Sequence, residues 1–350
     1  MNGMIHKPCA LSRLFVFSSL CGVVLLSGAS ATVAQSSEDF FTGKQIKLII
    51  STGPGGGYDT NARLFARFYG AHIPGNPAIV PQNMPGAGGI RASSFVYSGA
   101  PKDGTTIGVV DSSNLIQPLL KNTRDQFDPT KVNWLGNMSS EPSLCVSWHE
   151  TPIKTTEDFL TKEFIVGGSG AGGQLEVYPK ILNSILGTKM KVISGYTGGN
   201  EVVLAMERGE VQGRCGWSLS GIESTRAGWL ADKKVNILVQ LGDKAPELPN
   251  VPEAAELAKS QEQKDVLQLI FSDRKVQRPF MAPPGVPEAR VALMRTAFLA
   301  TMADKSFLAE ADKMKLQVTV MPGGEVQEYM NRLYAASPAV IEQTRVALGE

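Results

Sequence analysis

Three times the chain runs from a short apolar β-type segment through a glycine turn into an amphipathic helix, and this recurrence limits the folds open to it. QIKLII (45–50) leads through STGPGGG to YDTNARLFARFYGAHI, EFIVG (163–167) through GSGAGG to QLEVYPKILNSILG, and MKVIS (190–194) through GYTGG to NEVVLAMERGEV. Leu64, Phe65 and Phe68 recur at helical spacing after the first turn. Strands alternating with helices in this way predict an α/β protein whose sheets are covered by crossover helices. AIVPQNM, TTIGVVD, KVNWLGNM, SLCVSW and VNILVQLGD read as further strands, and RPFMAPPGVP (278–287) as a strand followed by a stiff turn. TTEDFLT reads as a helix, with Thr155 and Asp158 at capping-box spacing. PELPNVPEAAEL is a proline-rich surface connection, and EARVALMRTAFLATMADKSFLAEADKM gives two helices. The last helical stretch, EVQEYMNRLYAASPAVIEQTRVAL, should kink or break at Pro338. A chain of 350 residues with 43% hydrophobic side chains has the length for two domains and the material for a real core.

The amino terminus reads as a separate object. Lys7 and Arg13 precede the apolar stretch LFVFSSLCGVVLLSG, and ASA (29–31) or TVA (32–34) offers small residues for cleavage. Residues 1–34 are therefore expected to be a cleaved secretory signal peptide, the apolar stretch being short for a membrane span. Its removal takes away Lys7 and Arg13 and no acid, leaving 32 basic against 33 acidic residues. That balance excludes a nucleic-acid partner, which needs a basic excess to displace counterions. Cys145 and Cys215 remain in an oxidising setting, where both a disulfide and a pair of buried thiols are open.

Glycine reaches backbone angles closed to other residues and holds no side chain against a ligand, while a helix start carries unpaired N–H groups and the positive end of the dipole. A glycine-rich strand-to-helix turn is thus an anion cradle. Candidates are Gly55, Gly56 and Gly57; Gly170, Ala171 and Gly172, running on to Gly173; and Gly198 with Gly199. Each can also be a plain tight connection. One lies in the first half and two in the second, so halves facing each other across a cleft would grip a small acid from both sides, at the carboxyl ends of the strands.

Competing chemistries lack their parts. GSGAGG fits a dinucleotide fingerprint, but the next strand ends at Ser194 and Gly195 without the acid a ribose needs. His72 and His149 are not spaced as a metal pair, and GPGGGYD lacks the Lys and Ser or Thr of a P-loop. GWSLS (216–220) misses the final glycine of a nucleophile elbow. No cofactor and no metal are expected. An exported hydrolase built on Ser169 or Ser218 is the alternative reading, and a structural protein of the envelope a third.

PGGGYDTNARLFA, NMPGAGGIRASSFVYSGAPKDGTTIGVVD and GYTGGNEVVLAMERGEVQG, followed by NVPE and APPGVP, run in an order that resembles the substrate-binding proteins of tripartite tricarboxylate transporters, the Bug family. The resemblance covers essentially the whole chain after residue 34. It implies a periplasmic, monomeric receptor of type II-like binding-protein fold, each of its two α/β domains a mixed sheet flanked by helices, with a ligand cleft between them. Residues 36–142 and 275–350 would form one domain and 143–274 the other. The receptor would capture a mono- or dicarboxylate without catalysis and deliver it to membrane permease subunits. Two loops would clamp the carboxylate, Pro54–Asp59, including Tyr58 and Asp59, and Tyr196–Asn200, including Thr197. Asp59 has a helix cap as its plainer role. Ser112, Ser113 and Asn114 are either ligand donors or caps. Where the family commonly has an acidic stretch, this chain has VQGRCGWS, so Arg214 is either a carboxylate partner or a structural arginine, and Trp217 a cleft wall or core. If both face the cleft, a ligand larger or more apolar than a short diacid is expected.

Overall fold

Ile46 and Leu48 of β1 (Gln45–Ile50) are buried on one face and Ile49 on the other, as a central strand covered on both sides requires. The computed structural model describes residues 40–350 apart from Asn122, so the expected signal peptide lies outside the described residues. β1 pairs in parallel with β2 (Ala78–Asn83) and β3 (Thr106–Val109). Pro81 is tolerated because β2 is an edge strand, where a missing N–H interrupts no ladder. With β4 (Asn133–Asn137), β10 (Pro279–Ala282) and β11 (Met321–Pro322) these strands form a six-stranded sheet in the order β11-β4-β10-β3-β1-β2, β10 lying antiparallel to β3 and β4. Phe65 and Tyr69 of the helix Gly57–Tyr69 close one face with Phe280 and Phe298.

The chain then leaves this sheet to build a second, in the order β7-β6-β8-β5-β9, from β5 (Ser143–Trp148), β6 (Glu163–Gly168), β7 (Lys189–Ser194), β8 (Gly213–Ser218) and β9 (Val235–Leu241). β6 is parallel to β7 and β8, while β5 is antiparallel to β8 and β9. Both sheets are therefore mixed and flanked by helices. The outgoing and returning segments run side by side: Met138 N donates to Arg278 O (3.1 Å) and Gln277 N to Ser139 O (3.2 Å). The Thr155 capping box forms, and the last helical stretch ends at Tyr334 and restarts with Pro338 in the first turn of Pro338–Leu348. That final helix packs back against the helices Gln174–Leu186 and Gln261–Phe271 beside the second sheet. Cys145 and Cys215, partners in the β5–β8 ladder, are joined as a disulfide. No helix among the described residues is long and apolar enough to cross a membrane.

Candidate functional site

β1 and β7 each end in a glycine turn that starts a helix, Gly57–Tyr69 from the first lobe and Gly199–Glu207 from the second. Neither N-cap, Gly56 nor Gly198, supplies a side-chain cap, and the acids of the two first turns, Asp59 and Glu201, accept from Gly55 N and Thr197 N ahead of the helices. They meet across the lobe boundary. A β-carbon at Gly56 would stand 3.7 Å from the Asn200 amide nitrogen and 3.9 Å from that of Gly199. Between them lies a cavity of about 30 Å³, room for one or two waters. It opens at the carboxyl ends of the strands, where Thr52 and Asp111 follow β1 and β3 and Ser169 follows β6, as α/β sheets dispose their sites. The lobes are drawn together over it: Gly53 N donates to Thr197 O (3.0 Å) and Gly88 N to Ser169 O (3.1 Å).

Two arginines line this cavity, one from each lobe. Arg214 comes from β8, where residues three apart would ordinarily face opposite sides. The register shift opposite Leu144 and Cys145 leaves Gly216 as an extra residue at φ +84°, and this bulge brings Arg214 and Trp217 to the same cavity. Arg214 donates to Gly199 O (2.9 Å) and Gly216 O (3.0 Å), and its guanidinium lies 4.9 Å from the Trp217 ring centre. The indole face toward Arg214 is thus covered by a cation. Arg278, just before β10, stacks at 4.2 Å over Tyr58 and donates to Gln277 O (3.1 Å). Both side chains are about 95% buried, and the Nε of each finds no acceptor among the described residues; the same holds for Thr52 Oγ1. Burial first, then the neighbouring Arg278 charge, pulls the Arg214 pKa down to about 9, so it remains a cation at neutral pH. Burial raises Asp111 above its ordinary value despite hydrogen bonds from Ser113 and the charge of Arg274. It also pushes the Tyr58 phenol up to about 12, with Asp111 adding to the effect.

Of the residues singled out in the sequence, Gly56, Gly57, Tyr58, Gly198, Gly199, Arg214 and Trp217 line the cavity, as do Ser169 and Ser218 of the alternative hydrolase reading. The others support it. Asp59 accepts from Gly55 N (2.9 Å), Arg63 Nε and Asn83 Nδ2; burial alone would raise its pKa, but these partners outweigh burial and hold it low. Ser112 takes part in a buried cluster, donating its N–H to Tyr58 Oη (2.8 Å) and its hydroxyl to Asp273 (3.2 Å) while Arg274 donates to it. Asn114 donates to Gly88 O and Gly172 O, and the Ser113 hydroxyl sits between Asp111 and Gly172 O. Gly170, Ala171 and Gly172 are not among the lining residues. A β-carbon at Gly172 would stand 2.4 Å from Ile90 and one at Gly170 3.0 Å from Gly88 N, so this turn is occupied by packing against the first lobe. Thr197 and Tyr196 lie beside the cavity, and Asn200 accepts from Arg226 (3.1 Å).

Thr52, Asp111, Gln174, Leu175, Gln277 and Arg278 are lining residues that the sequence did not single out. An arginine ahead of a proline at a strand start carries no local signal of burial. A wider opening of about 530 Å³ lies elsewhere, but Glu141, Glu223, Asp243, Glu247 and Asp312 outnumber its basic side chains, which does not suit an anion.

Two mixed α/β lobes joined by paired crossing segments, with a cavity at their boundary, define the fold of a periplasmic solute-binding protein. Known structures share it. The periplasmic binding protein BugD superposes with a TM-score of 0.70 at 18% identity, over 88% of this chain and 98% of that one. MatC from Rhodopseudomonas palustris, solved with bound malate, gives 0.67 at 20% identity over 86% and 100%. In sequence, the UPF0065 protein in the gbd 5′ region of Cupriavidus necator is 25% identical over 328 residues, 91% of this chain and 93% of the relative. The chain belongs to the tripartite tricarboxylate transporter family receptors, which it matches over residues 70–345; the resemblance drawn from its motifs holds.

Proposed function

We propose that this protein is exported to the periplasm on removal of residues 1–34, works as a monomer, and captures a small organic acid between its lobes. The acid, a mono- or dicarboxylate, is handed to the membrane permease subunits of a tripartite tricarboxylate transporter. The lobes, residues 36–142 with 275–350 and residues 143–274, part and close about the two crossing segments. The observation that carries the reading is the concentration of unmet buried donors at one cavity: Arg214 Nε, Arg278 Nε and Thr52 Oγ1. Buried donors without acceptors are costly, and an incoming carboxylate supplies acceptors. MatC, with its malate, supports a carboxylate as the ligand. A cavity of about 30 Å³ admits no organic acid as it stands, so entry requires breaking the Gly53–Thr197 and Gly88–Ser169 contacts.

The ligand is bound and not turned over. Ser218 Oγ accepts from Gly221 N as a helix cap (3.1 Å), and neither His72 nor His149 is among the residues that line the cavity with Ser169 and Ser218. Thermal unfolding of the mature protein against a panel of organic acids tests the reading. The acid it carries should stabilise it by about 2.7 kcal/mol at a hundredfold excess over Kd. A full panel of mono- and dicarboxylates without a shift would overturn it, as would ester or amide hydrolysis that disappears in Ser218→Ala.

A further inference from the structure

The protein contains a third buried arginine in this region, and it is handled differently. Arg274 pairs with Asp273 at 2.8 Å, and both are almost wholly buried. That is the usual condition for keeping a guanidinium inside a protein. Arg214 and Arg278 have only neutral protein partners, the carbonyls of Gly199, Gly216 and Gln277. Each is also seated against a helix start. A β-carbon at Gly199 would stand 2.3 Å from Arg214 Nη1, and one at Gly57 would stand 3.0 Å from Arg278 Nη2. Glycine at these positions makes room for a cation beside the positive end of a helix, an arrangement that repels itself until an anion arrives.

Asp111 also lines the cavity. Even with its carboxyl ionised, two guanidiniums and two helix ends of about half a charge each leave roughly two positive charges among the lining groups; of the acids in the two first turns, Asp59 is paired with Arg63 and Glu201 bonds Thr197 N, and neither lines the cavity. One arginine comes from each lobe, so closing the lobes brings the two charges to one ligand. We propose that Arg214 and Arg278 read the charge of the ligand, each taking one acid group, so that the cleft selects organic dianions over monoanions of equal length. This rests on the cleft being the acid-binding site. It adds the claim that two side chains, rather than main-chain donors alone, set the selectivity. Arginine suits the task because its planar fork pairs with a carboxylate through two parallel hydrogen bonds.

The test uses diacids and their half-amides, which match in size and differ by one charge: malonate and malonamate, succinate and succinamate, glutarate and glutaramate, adipate and adipamate. Calorimetric titration of the mature protein should find at least one diacid bound more than about tenfold more tightly than its half-amide, the discrimination expected of one charge-assisted pair. Arg214→Met and Arg278→Met, which keep the apolar stem, should each lower the diacid's affinity to that of the half-amide. Circular dichroism checks that each variant is folded, and the wild-type comparison stands without them. Half-amides bound as tightly as diacids would overturn the charge reading and leave the acid site intact. Retention of the diacid preference in both folded variants would overturn it too. If no member of any pair binds, the charge reading falls, while the acid site stands or falls by the full panel of mono- and dicarboxylates.

Discussion

The seating of Arg214 against Gly199 can be tested by adding one methyl group. In Gly199→Ala the new β-carbon would lie 2.3 Å from Nη1, 2.7 Å from Nη2 and 2.9 Å from Cζ, so the guanidinium must withdraw. Its bonds to Gly199 O and Gly216 O are then stretched or lost. Hydrogen bonds from a charged group contribute about 1.5–3 kcal/mol each. Alanine recovers up to about 1 kcal/mol over glycine in a helix, and Gly199 is not at positive φ, so the backbone itself accepts the change. Allowing for partial re-bonding, the net loss is about 2–4 kcal/mol. The same substitution in an Arg214→Met background meets no guanidinium and should be neutral or slightly stabilising. Urea unfolding of the four proteins gives the coupling energy, expected to be at least about 2 kcal/mol. An equal effect of Gly199→Ala in both backgrounds would refute the reasoning, since it would mean that the methyl group and the guanidinium never compete for the same space.

Three further outcomes follow from the described contacts. Reduction of the Cys145–Cys215 disulfide, which closes a loop of 70 residues, should destabilise by up to about 4 kcal/mol on the loop-entropy estimate, read as a lower urea midpoint in dithiothreitol. Asp273→Asn leaves Arg274 buried without its carboxylate and should cost about 3–5 kcal/mol in the same assay, against near-neutrality if the pair is dispensable. Asp59 is held below its ordinary value of 3.8, so its contribution is present above that value and is lost as pH falls through the lower folded one. Acid titration of Asp59→Asn should accordingly show a shallower loss of stability below about pH 4 than the wild type, and superimposable curves would remove the role assigned to its Gly55, Arg63 and Asn83 bonds.

Much of the fold could be read locally because its signals are local. β1 announces itself by apolar composition and the glycines behind it, and Pro338 breaks the last helix because it can donate no N–H. The helix Gln261–Phe271 was equally legible and went unread: Ser260 caps it and Val266, Leu267 and Ile270 form its buried stripe. β8 is different in kind. GRCGWS is buried at all six positions, contains an arginine, and carries its alternation through a glycine bulge, so neither a period of two nor an apolar run marks it. The insertion of β10 between β3 and β4 depends on a segment more than 140 residues downstream of β4's start, and no local propensity encodes such a partner.

The site divides along the same line. Its glycine turns stand out in the sequence because glycine at a strand-to-helix junction has few ordinary explanations, and two of the three turns do meet at a shared cavity. What the glycines are for was only half visible. Gly57 and Gly199 leave space that guanidiniums occupy, and Gly170–Gly173 leave space that the opposite lobe occupies. Reading these purposes needs the residue that arrives from elsewhere: Arg278 comes from the returning crossing segment and Arg214 from a strand bulge. A cation set against the positive end of a helix raises the energy of the folded protein, and a chain selected for stability alone would have paired it, as it paired Arg274 with Asp273. Two such departures converging on one cavity from opposite lobes are what a binding site requires and what a structural core avoids.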